Sequence, residues 1–299
     1  MISDLSQQTF LSQTVDNGRI CRLGLVGAGI AQSKSPALHE AEAKAQGIHC
    51  RYELIDLDQL GIGVNHLSDL LNEVESLGFS GLNITVPCKQ AVIPLLHELS
   101  PEAQAIGAVN TVRFHAGRRI GYNTDAKGFG ESFRRGLQGV PLDRVLQYGA
   151  GGAGAATAFT LLELGVRHLT ITDIIHERAQ FLADSLALRF THRDIRASET
   201  PEAAIITSNG VVNASPTGTS KYPGSAMPLS QLRPDMWIAE VVYAPLETEL
   251  LRSARAMGCR TLDGASMLVF QAARAFELFT GHTADIERML RHFSRLSVN

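Results

Sequence analysis

The sequence is most easily narrowed by what it lacks. It contains no apolar run of about 18 residues or more, the length a membrane-spanning helix needs. Its opening residues, MISDLSQQTF, have neither the basic nor the apolar region of an export signal, and they read as a polar leader. There are four cysteines, Cys21, Cys50, Cys88 and Cys259, widely spaced and without a C-x-x-C pair. Without an export signal they are expected as reduced thiols, not as a disulfide framework. None of the ten histidines falls in an H-x-x-x-H or H-E-x-x-H spacing, so no metal is expected. A net charge of -3, from 27 basic and 30 acidic residues, leaves no electrostatic footprint for nucleic acid. No internal repeat or low-complexity segment occurs. The expectation is a cytoplasmic protein with neither nucleic acid nor membrane as partner. At 299 residues it has room for two domains.

What is present centres on VLQYGAGGAGAATAFTLLELGVRHLTITD, from Val145 to Asp173. A short apolar run turns through Gly149, Ala150, Gly151, Gly152, Ala153 and Gly154 into an Ala/Leu-rich helix. A second apolar run, Leu169 to Ile171, leads to Asp173. Strand, glycine turn, helix, strand and acid is the order of a dinucleotide-binding βαβ unit. Gly149 makes the tight turn, Gly151 admits a pyrophosphate to the backbone, and Gly154 lets helix and strand pack closely. The helix N-terminus favours the phosphates, and Asp173 is placed to accept from ribose hydroxyls. A methyltransferase cofactor site uses a similar glycine turn and acid, and a packed turn without ligand has the same spacing.

Ahead of this unit the chain alternates strands and helices, the mark of an α/β layer. A strand over Arg22 to Gly27 is followed by a loop, Gly29-Ile-Ala-Gln-Ser-Lys-Ser-Pro36, and a helix whose first turn suits Pro36. Ser33 and Ser35 lie in that loop, where helix capping is their ordinary role. A strand over Arg51 to Ile55 and an amphipathic helix from Leu67 to Leu77 come next. In Gly81-Leu-Asn-Ile-Thr-Val-Pro-Cys-Lys89 the alternation puts Asn83 and Thr85 on one face of a strand end. Lys89 follows in the first turn of a helix running through Val92, Leu95 and Leu96. A lysine there opposes the helix dipole, and such local conflicts gather at functional sites. Asn123 or Thr124 can cap a helix that starts near Ala126, with Asp125 as a first-turn acid. Beyond Asp173 the pattern predicts a helix through Leu186, a strand over Gly210–Pro216 ending in small polar residues, strands over Trp237–Tyr243 and Arg260–Leu262, and a helix over Glu249–Met257. The chain then ends helical, from Met267 through Phe279 and from Asp285 to Leu296.

Together Ser33-Lys-Ser-Pro36, Asn83-Ile-Thr-Val-Pro-Cys-Lys89, Gly107-Ala-Val-Asn-Thr111, Asn123-Thr-Asp125, the glycine turn, Asn213-Ala-Ser215, Val242-Tyr-Ala-Pro245 and Met267-Leu-Val-Phe-Gln271 resemble the shikimate dehydrogenase family. The likeness is greatest to its quinate/shikimate branch and covers nearly the whole chain after the leader. It implies a two-domain α/β fold. Residues 1–124 would form a substrate domain, completed by C-terminal helices over 263–299, and residues 125–262 a Rossmann domain for NAD, with NADP used less well. It implies that Lys89 and Asp125 are the catalytic pair, sharing the proton at the oxidised hydroxyl. Asn110 and Gln271 would bind ring hydroxyls, with Asn83 beside them. Ser33, Ser35, Thr85 and Tyr243 would hold the carboxylate of a polyhydroxy acid. The nucleotide would lie on Gly149–Gly154, Asp173, Asn213, Ser215 and Gly264. Hydride transfer from a secondary alcohol needs a proton acceptor and rigid positioning, which suits this assignment. A lysine beside a carboxylate is held charged, so the two act as one unit.

The chain departs from the family pattern at Gln32 for His, Ala126 and Ser266 for Gly, and Glu240 for Asp. The usual Asn-Arg-Thr after the acid is also missing, with Ile174 and Ile175 in its place. These changes bear on substrate and cofactor choice, not on reaction class. A sensor that binds NAD without turnover, and a dehydrogenase of an amino analogue, remain alternatives. Both a monomer and a homodimer fit the sequence.

Overall fold

The computed structural model describes residues 20–296, so the leader MISDLSQQTF lies outside the described residues. Two six-stranded sheets follow one another along the chain. The first contains β1 (Cys21–Gly27), β2 (Cys50–Asp56), β3 (Phe79–Ile84), β4 (Glu98–Leu99), β5 (Thr111–His115) and β6 (Arg118–Tyr122). Their order is β2-β1-β3-β5-β6-β4, parallel among β2, β1 and β3 and antiparallel from β3 through β5 to β6. The second contains β7 (Arg144–Tyr148), β8 (His168–Thr172), β9 (Asp194–Ala197), β10 (Gly210–Asn213), β11 (Trp237–Glu240) and β12 (Arg260–Leu262). It is parallel throughout, in the order β12-β11-β10-β7-β8-β9. This is the doubly wound order, and its switch point lies between β7 and β10, where such sheets bind ligands.

The helices of the first part are α1 (Ser35–Ala45), α2 (Leu57–Leu60), α3 (Leu67–Ser76), α4 (Cys88–Ala91) and α5 (Pro101–Ile106). Those that follow are α6 (Asp125–Gly136), α7 (Gly152–Leu164), α8 (His176–Arg189), α9 (Glu202–Thr207) and α10 (Glu249–Met257). The last two are α11 (Gly264–Thr280) and α12 (Ile286–Leu296). α7 is buried around most of its girth, as its run of alanines and leucines requires. The chain's single tryptophan, Trp237, is 1 % exposed and lies edge-on to Phe133 of α6. α11 and α12 turn back to the first sheet: Phe276, Met289 and Phe293 share a core with Leu38 of α1. Phe279 occupies the space that a side chain on Gly81 of β3 would need.

Three expectations are corrected. The helix expected from Lys89 to Leu96 is one turn, α4, followed by a tighter turn at Ile93–Leu95. Pro94 cannot donate and clashes with the preceding turn, which ends the helix there. The strand expected over Trp237–Tyr243 stops at Glu240, because the Val242 N–H is taken by the Glu240 carboxylate (3.0 Å) and not by a neighbouring strand. The cysteines are not all apart: Cys21 and Cys50 sit directly opposite each other on β1 and β2, both as free thiols. Among the described residues no helix is long and apolar enough to cross a membrane.

Candidate active site

A cavity of about 390 Å³ opens beyond the C-terminal ends of β1 and β3 and is closed on the far side by α11. Ser33, Ser35, Asn83, Thr85, Lys89, Asn110, Asp125, Tyr243 and Gln271 all line it. The loop that brings in the two serines is held from β2. The Asp56 carboxylate accepts from the N–H groups of Gly29 (2.9 Å), Ile30 (2.9 Å) and Asp58 (3.1 Å). Gly29 turns the loop with a φ of 67°, a value that favours glycine. Ser33 Oγ accepts from the Ser35 N–H at 3.3 Å, and its hydroxyl reaches Ser35 Oγ at 3.2 Å. The N-cap residue of α1 is Lys34, and Ser33, one residue further back, meets the first N–H of the helix through its Oγ. Tyr243 faces Ser33, and burial raises its hydroxyl above the ordinary tyrosine range.

Lys89 stands in α4, its carbonyl accepting from the Val109 N–H at 2.8 Å. Its Nζ donates to Asp125 Oδ2 at 2.6 Å, and the two side chains are only 12 % and 5 % exposed. Asp125 opens α6, where the helix dipole favours a carboxylate. Asn123 does the capping there: its Oδ1 accepts from the Ala126 N–H at 3.1 Å, and its amide donates to the Ala108 carbonyl at 2.9 Å. Thr124, the other capping candidate, makes no side-chain cap bond. The pair is therefore a nearly dry ion pair at a cavity wall, its partners fixed by separate helices.

A directed chain of hydrogen bonds runs behind the pocket. The Tyr52 hydroxyl donates to Asn83 Oδ1 (2.8 Å), and Asn83 Nδ2 donates to Thr111 Oγ1 (3.1 Å) and the Asn110 carbonyl (3.3 Å). The Thr111 hydroxyl donates to Asn110 Oδ1 (3.0 Å), which also accepts from the Thr124 N–H (2.7 Å). Asn110 Nδ2 then donates to Thr124 Oγ1 and to Gln271 Oε1, both at 2.9 Å. Main-chain groups cannot exchange donor for acceptor, so Asn110 and Asn83 have only one amide orientation. Gln271 is thereby left with its amino group for a ligand. His39 also lines the cavity, 1 % exposed and stacked on Tyr52 at 4.9 Å between ring centres. Burial lowers its pKa from 6.5 to about 3, so the ring is neutral. Asp56, Tyr52, His39, Thr111 and Thr124 escaped the sequence reading as site residues. Thr111 and Thr124 stand within the quoted motifs, and His39 falls on the inward face of α1 with Leu38, Glu42 and Ala43.

The glycine turn meets the same cavity at Ala153, and Gly264 lines it from the start of α11. Gly149 has a φ of 99°, and a Cβ there would lie 2.7 Å from the backbone of Ala214. A Cβ on Gly154 would collide with the Gly149 carbonyl. One on Gly151 would meet nothing within 4 Å, so the turn has an open face over the N-terminus of α7. Buried Gln147 holds the turn in shape, donating to the carbonyls of Gly149 (2.9 Å) and Gly154 (2.8 Å). Asp173 accepts from the Ala150 N–H at 2.7 Å and the Ile175 N–H at 2.9 Å, fixing its carboxylate beside that face. Open backbone, helix N-terminus and fixed acid fit a dinucleotide. Asn213 is fully buried and donates to the Thr217 carbonyl (2.8 Å) and to Glu240 (2.9 Å), while the Ser215 hydroxyl donates to Asn213 Oδ1 (2.6 Å). These two shape the loop beside the turn and do not line the cavity. Burial pushes the Glu240 carboxyl up to about 7, against the donors from Asn213, Val242 and Thr248. Among the described residues no group of three or more His, Cys, Asp or Glu side chains is gathered for a metal.

Residues 25–112 match the model of the shikimate dehydrogenase substrate binding domain, and residues 264–292 that of the shikimate 5'-dehydrogenase C-terminal domain. The chain is 52% identical over 277 residues to a shikimate dehydrogenase (NADP(+)) of Streptomyces avermitilis, covering 92% of this chain and 95% of that one. It is 46% identical to a quinate/shikimate dehydrogenase (NAD(+)) of Corynebacterium efficiens, covering 92% and 98%. Among solved structures, quinate dehydrogenase from Corynebacterium glutamicum in complex with NAD superposes with a TM-score of 0.84 at 45% identity, covering 93% of this chain and 100% of that one. Shikimate 5-dehydrogenase from Thermus thermophilus, in complex with NADP(H) and shikimate, gives 0.80 at 36% identity, covering 92% and 99%.

Proposed function

Because the chain belongs to the shikimate dehydrogenase family, we propose that it is an NAD-dependent oxidoreductase interconverting shikimate and 3-dehydroshikimate, with quinate as a second substrate. The methyltransferase alternative falls with the family. The observation that carries the proposal is the Lys89–Asp125 pair, 2.6 Å apart in the wall of a cavity that the glycine turn also reaches. Ser33, Ser35, Thr85 and Tyr243, which all line that cavity, are assigned to the carboxylate, with Ser33 in contact with both Ser35 and Tyr243. Asn110 and Gln271 meet in the same lining, and Gln271 is assigned to turn its N–H donors to ring hydroxyl oxygens. Lys89 and Asp125 together take up the proton as the secondary alcohol becomes a ketone and return it in reduction. A bound nicotinamide supplies the hydride acceptor. We assign substrate binding to residues 1–124 with the helices of 263–299, and the nucleotide to residues 125–262. Two separate sheets and the return of α11 and α12 to the first support that division.

NAD is proposed over NADP because Asp173, held beside the open face of the glycine turn, would repel an additional phosphate on the ribose. At about 6 Å and an effective dielectric of about 20, each unit of like charge costs roughly 2–3 kcal/mol before screening. Ile174 and Ile175 offer no donor side chains, and His176 Nε2 faces Glu199 at 3.8 Å. A preference of roughly tenfold to hundredfold survives screening by solvent and salt. Shikimate is expected to be used at least as well as quinate, whose extra hydroxyl crowds the carboxylate end near Ser35. Nicotinamide absorbance with shikimate and quinate, each with NAD and NADP, tests all of this. No turnover in any combination refutes the enzyme and leaves the NAD-binding sensor. NADP used as well as NAD refutes the cofactor assignment, and a quinate kcat/KM well above that for shikimate refutes the substrate order.

A further inference from the structure

One glycine of the turn has the stem of a lysine where its side chain would be. Gly149 needs its positive φ, Gly154 packs on the turn itself, and Gly151 faces open space. Gly152 is the first residue of α7, has no positive φ, and is not one of the three glycines of the dinucleotide pattern. A Cβ placed there would lie 2.8 Å from Lys89 Cδ, 3.0 Å from its Cβ and 3.5 Å from its Cγ. The whole stem of the lysine therefore lies along the bare backbone of the turn. Rotating the far end of Lys89 relieves the contact at Cδ but not the one at Cβ, which moves only with α4.

α4 has little freedom to move. The Lys89 carbonyl is held by the Val109 N–H at 2.8 Å, and the flanking Cys88 and Val92 are both 0 % exposed. We propose that Gly152 is a positioning residue for Lys89, its absent side chain letting the cofactor turn close onto the lysine stem and hold Nζ against Asp125. This rests on the assignment of Lys89 and Asp125 as the proton-handling pair. Its consequence is that the turn serves both halves of the reaction: Gly151 leaves the nucleotide face open, and the next residue sets the reach of the lysine. A misplacement of about 1 Å in such a group costs up to about 100-fold in rate.

The test is Gly152→Ala in the full-length protein, alone and combined with Lys89→Ala. Alanine in a helix is intrinsically better than glycine, so a Gly152 without any role predicts an unchanged or higher Tm and unchanged rate, and a merely structural one a lower Tm with unchanged rate. The expected result is a kcat lower by about ten- to a hundredfold with a shifted pH–rate profile. The Kd for NAD should stay within about threefold, since the added Cβ points at the lysine and not at the open face. In the Lys89→Ala background the Cβ contact remains but there is no ammonium left to misplace, so the same substitution should cost no further rate. Retention of more than half of wild-type kcat, or a full additional loss on top of Lys89→Ala, overturns the proposal. A readout independent of turnover separates this outcome from failure of the activity itself. Lys89 labelling by an amine-reactive reagent, followed by mass spectrometry, should be faster in Gly152→Ala even if no substrate is turned over. Unchanged labelling overturns the positioning role whatever the reaction proves to be.

Discussion

His39 gives the most quantitative test of how the substrate pocket is built. Its imidazole is 1 % exposed, stacked on Tyr52 and within 6.3 Å of Phe276 and 6.1 Å of Phe279, ring centre to ring centre. Its Nδ1 is buried and finds no hydrogen-bond partner among the described residues. Such a site refuses a proton, which is why burial takes the pKa from 6.5 to about 3. Between those values the unfolded chain binds a proton that the folded protein does not, so stability rises with pH across that window and is lost as the solution is acidified. The slope is about 1.4 kcal/mol per pH unit once the solution is well below the unfolded pKa. From pH 6.5 to 4.5 this one ring removes somewhat more than about 2 kcal/mol, a large share of the stability of a typical domain. Carboxylates also contribute in acid: the pKa of Glu42 is lowered, burial opposing the Arg288 guanidinium and other donors that win, and its stabilisation fades as pH falls. Comparison with His39→Phe isolates the imidazole, since phenylalanine can occupy the same aromatic stack and leaves the carboxylates in place. Denaturant unfolding of both proteins at several pH values should give ΔG curves that diverge below pH about 6.5, wild type falling faster. Parallel curves would refute the reasoning, because they would mean that the folded protein accepts the proton at no extra cost.

Lys89→Ala should lower kcat by about 10²–10⁴-fold while leaving NAD binding intact, and retention of more than about a tenth of the rate contradicts its role. Asp125→Asn should lose rate too, and steady-state kinetics of the double variant should show less than the product of the two losses if the pair acts as a unit. Gly128→Ala would bring a Cβ to 2.8 Å from the Met267 carbonyl and 3.0 Å from the Gln271 nitrogen, forcing α6 and α11 apart. A loss of about 1–3 kcal/mol, read as a lower Tm, and a raised KM for shikimate are expected, since Asp125 and Gln271 ride on those helices. Asp173→Ser combined with Ile174→Arg removes the acid and adds a donor, so the ratio of kcat/KM values should move toward NADP, measured with both cofactors.

Much of this protein is written locally in its chain. The βαβ unit from Val145 to Asp173 is legible because strand periodicity, turn glycines and helix composition all act over a few residues. α10 and β12 begin and end where their patterns do. Other elements were hidden for equally local reasons. β9 is an edge strand whose residues are only partly buried, so it has no apolar run to announce it. Pro94 breaks the helix after Lys89, a signal that was present in the sequence and outweighed by the spacing of leucines.

The candidate site divides in the same way. The resemblance to the family points to Lys89 and Asp125 for proton transfer and to Asn110 and Gln271 for hydroxyl recognition. Only the tertiary structure makes neighbours of Asn110 and Gln271, 161 residues apart, by laying α11 back across the first sheet. Only it orders the chain from Tyr52 to Gln271, because an amide's orientation depends on main-chain partners supplied from other elements. The neutrality of His39 and the need for glycine at 152 are likewise invisible in sequence. Both follow from what surrounds a residue once distant segments are packed: a wall of aromatic rings from β2 and α11 in one case, the stem of a lysine in the other. Burial and close contact between distant segments are properties of the packed molecule, while turn and periodicity belong to the chain.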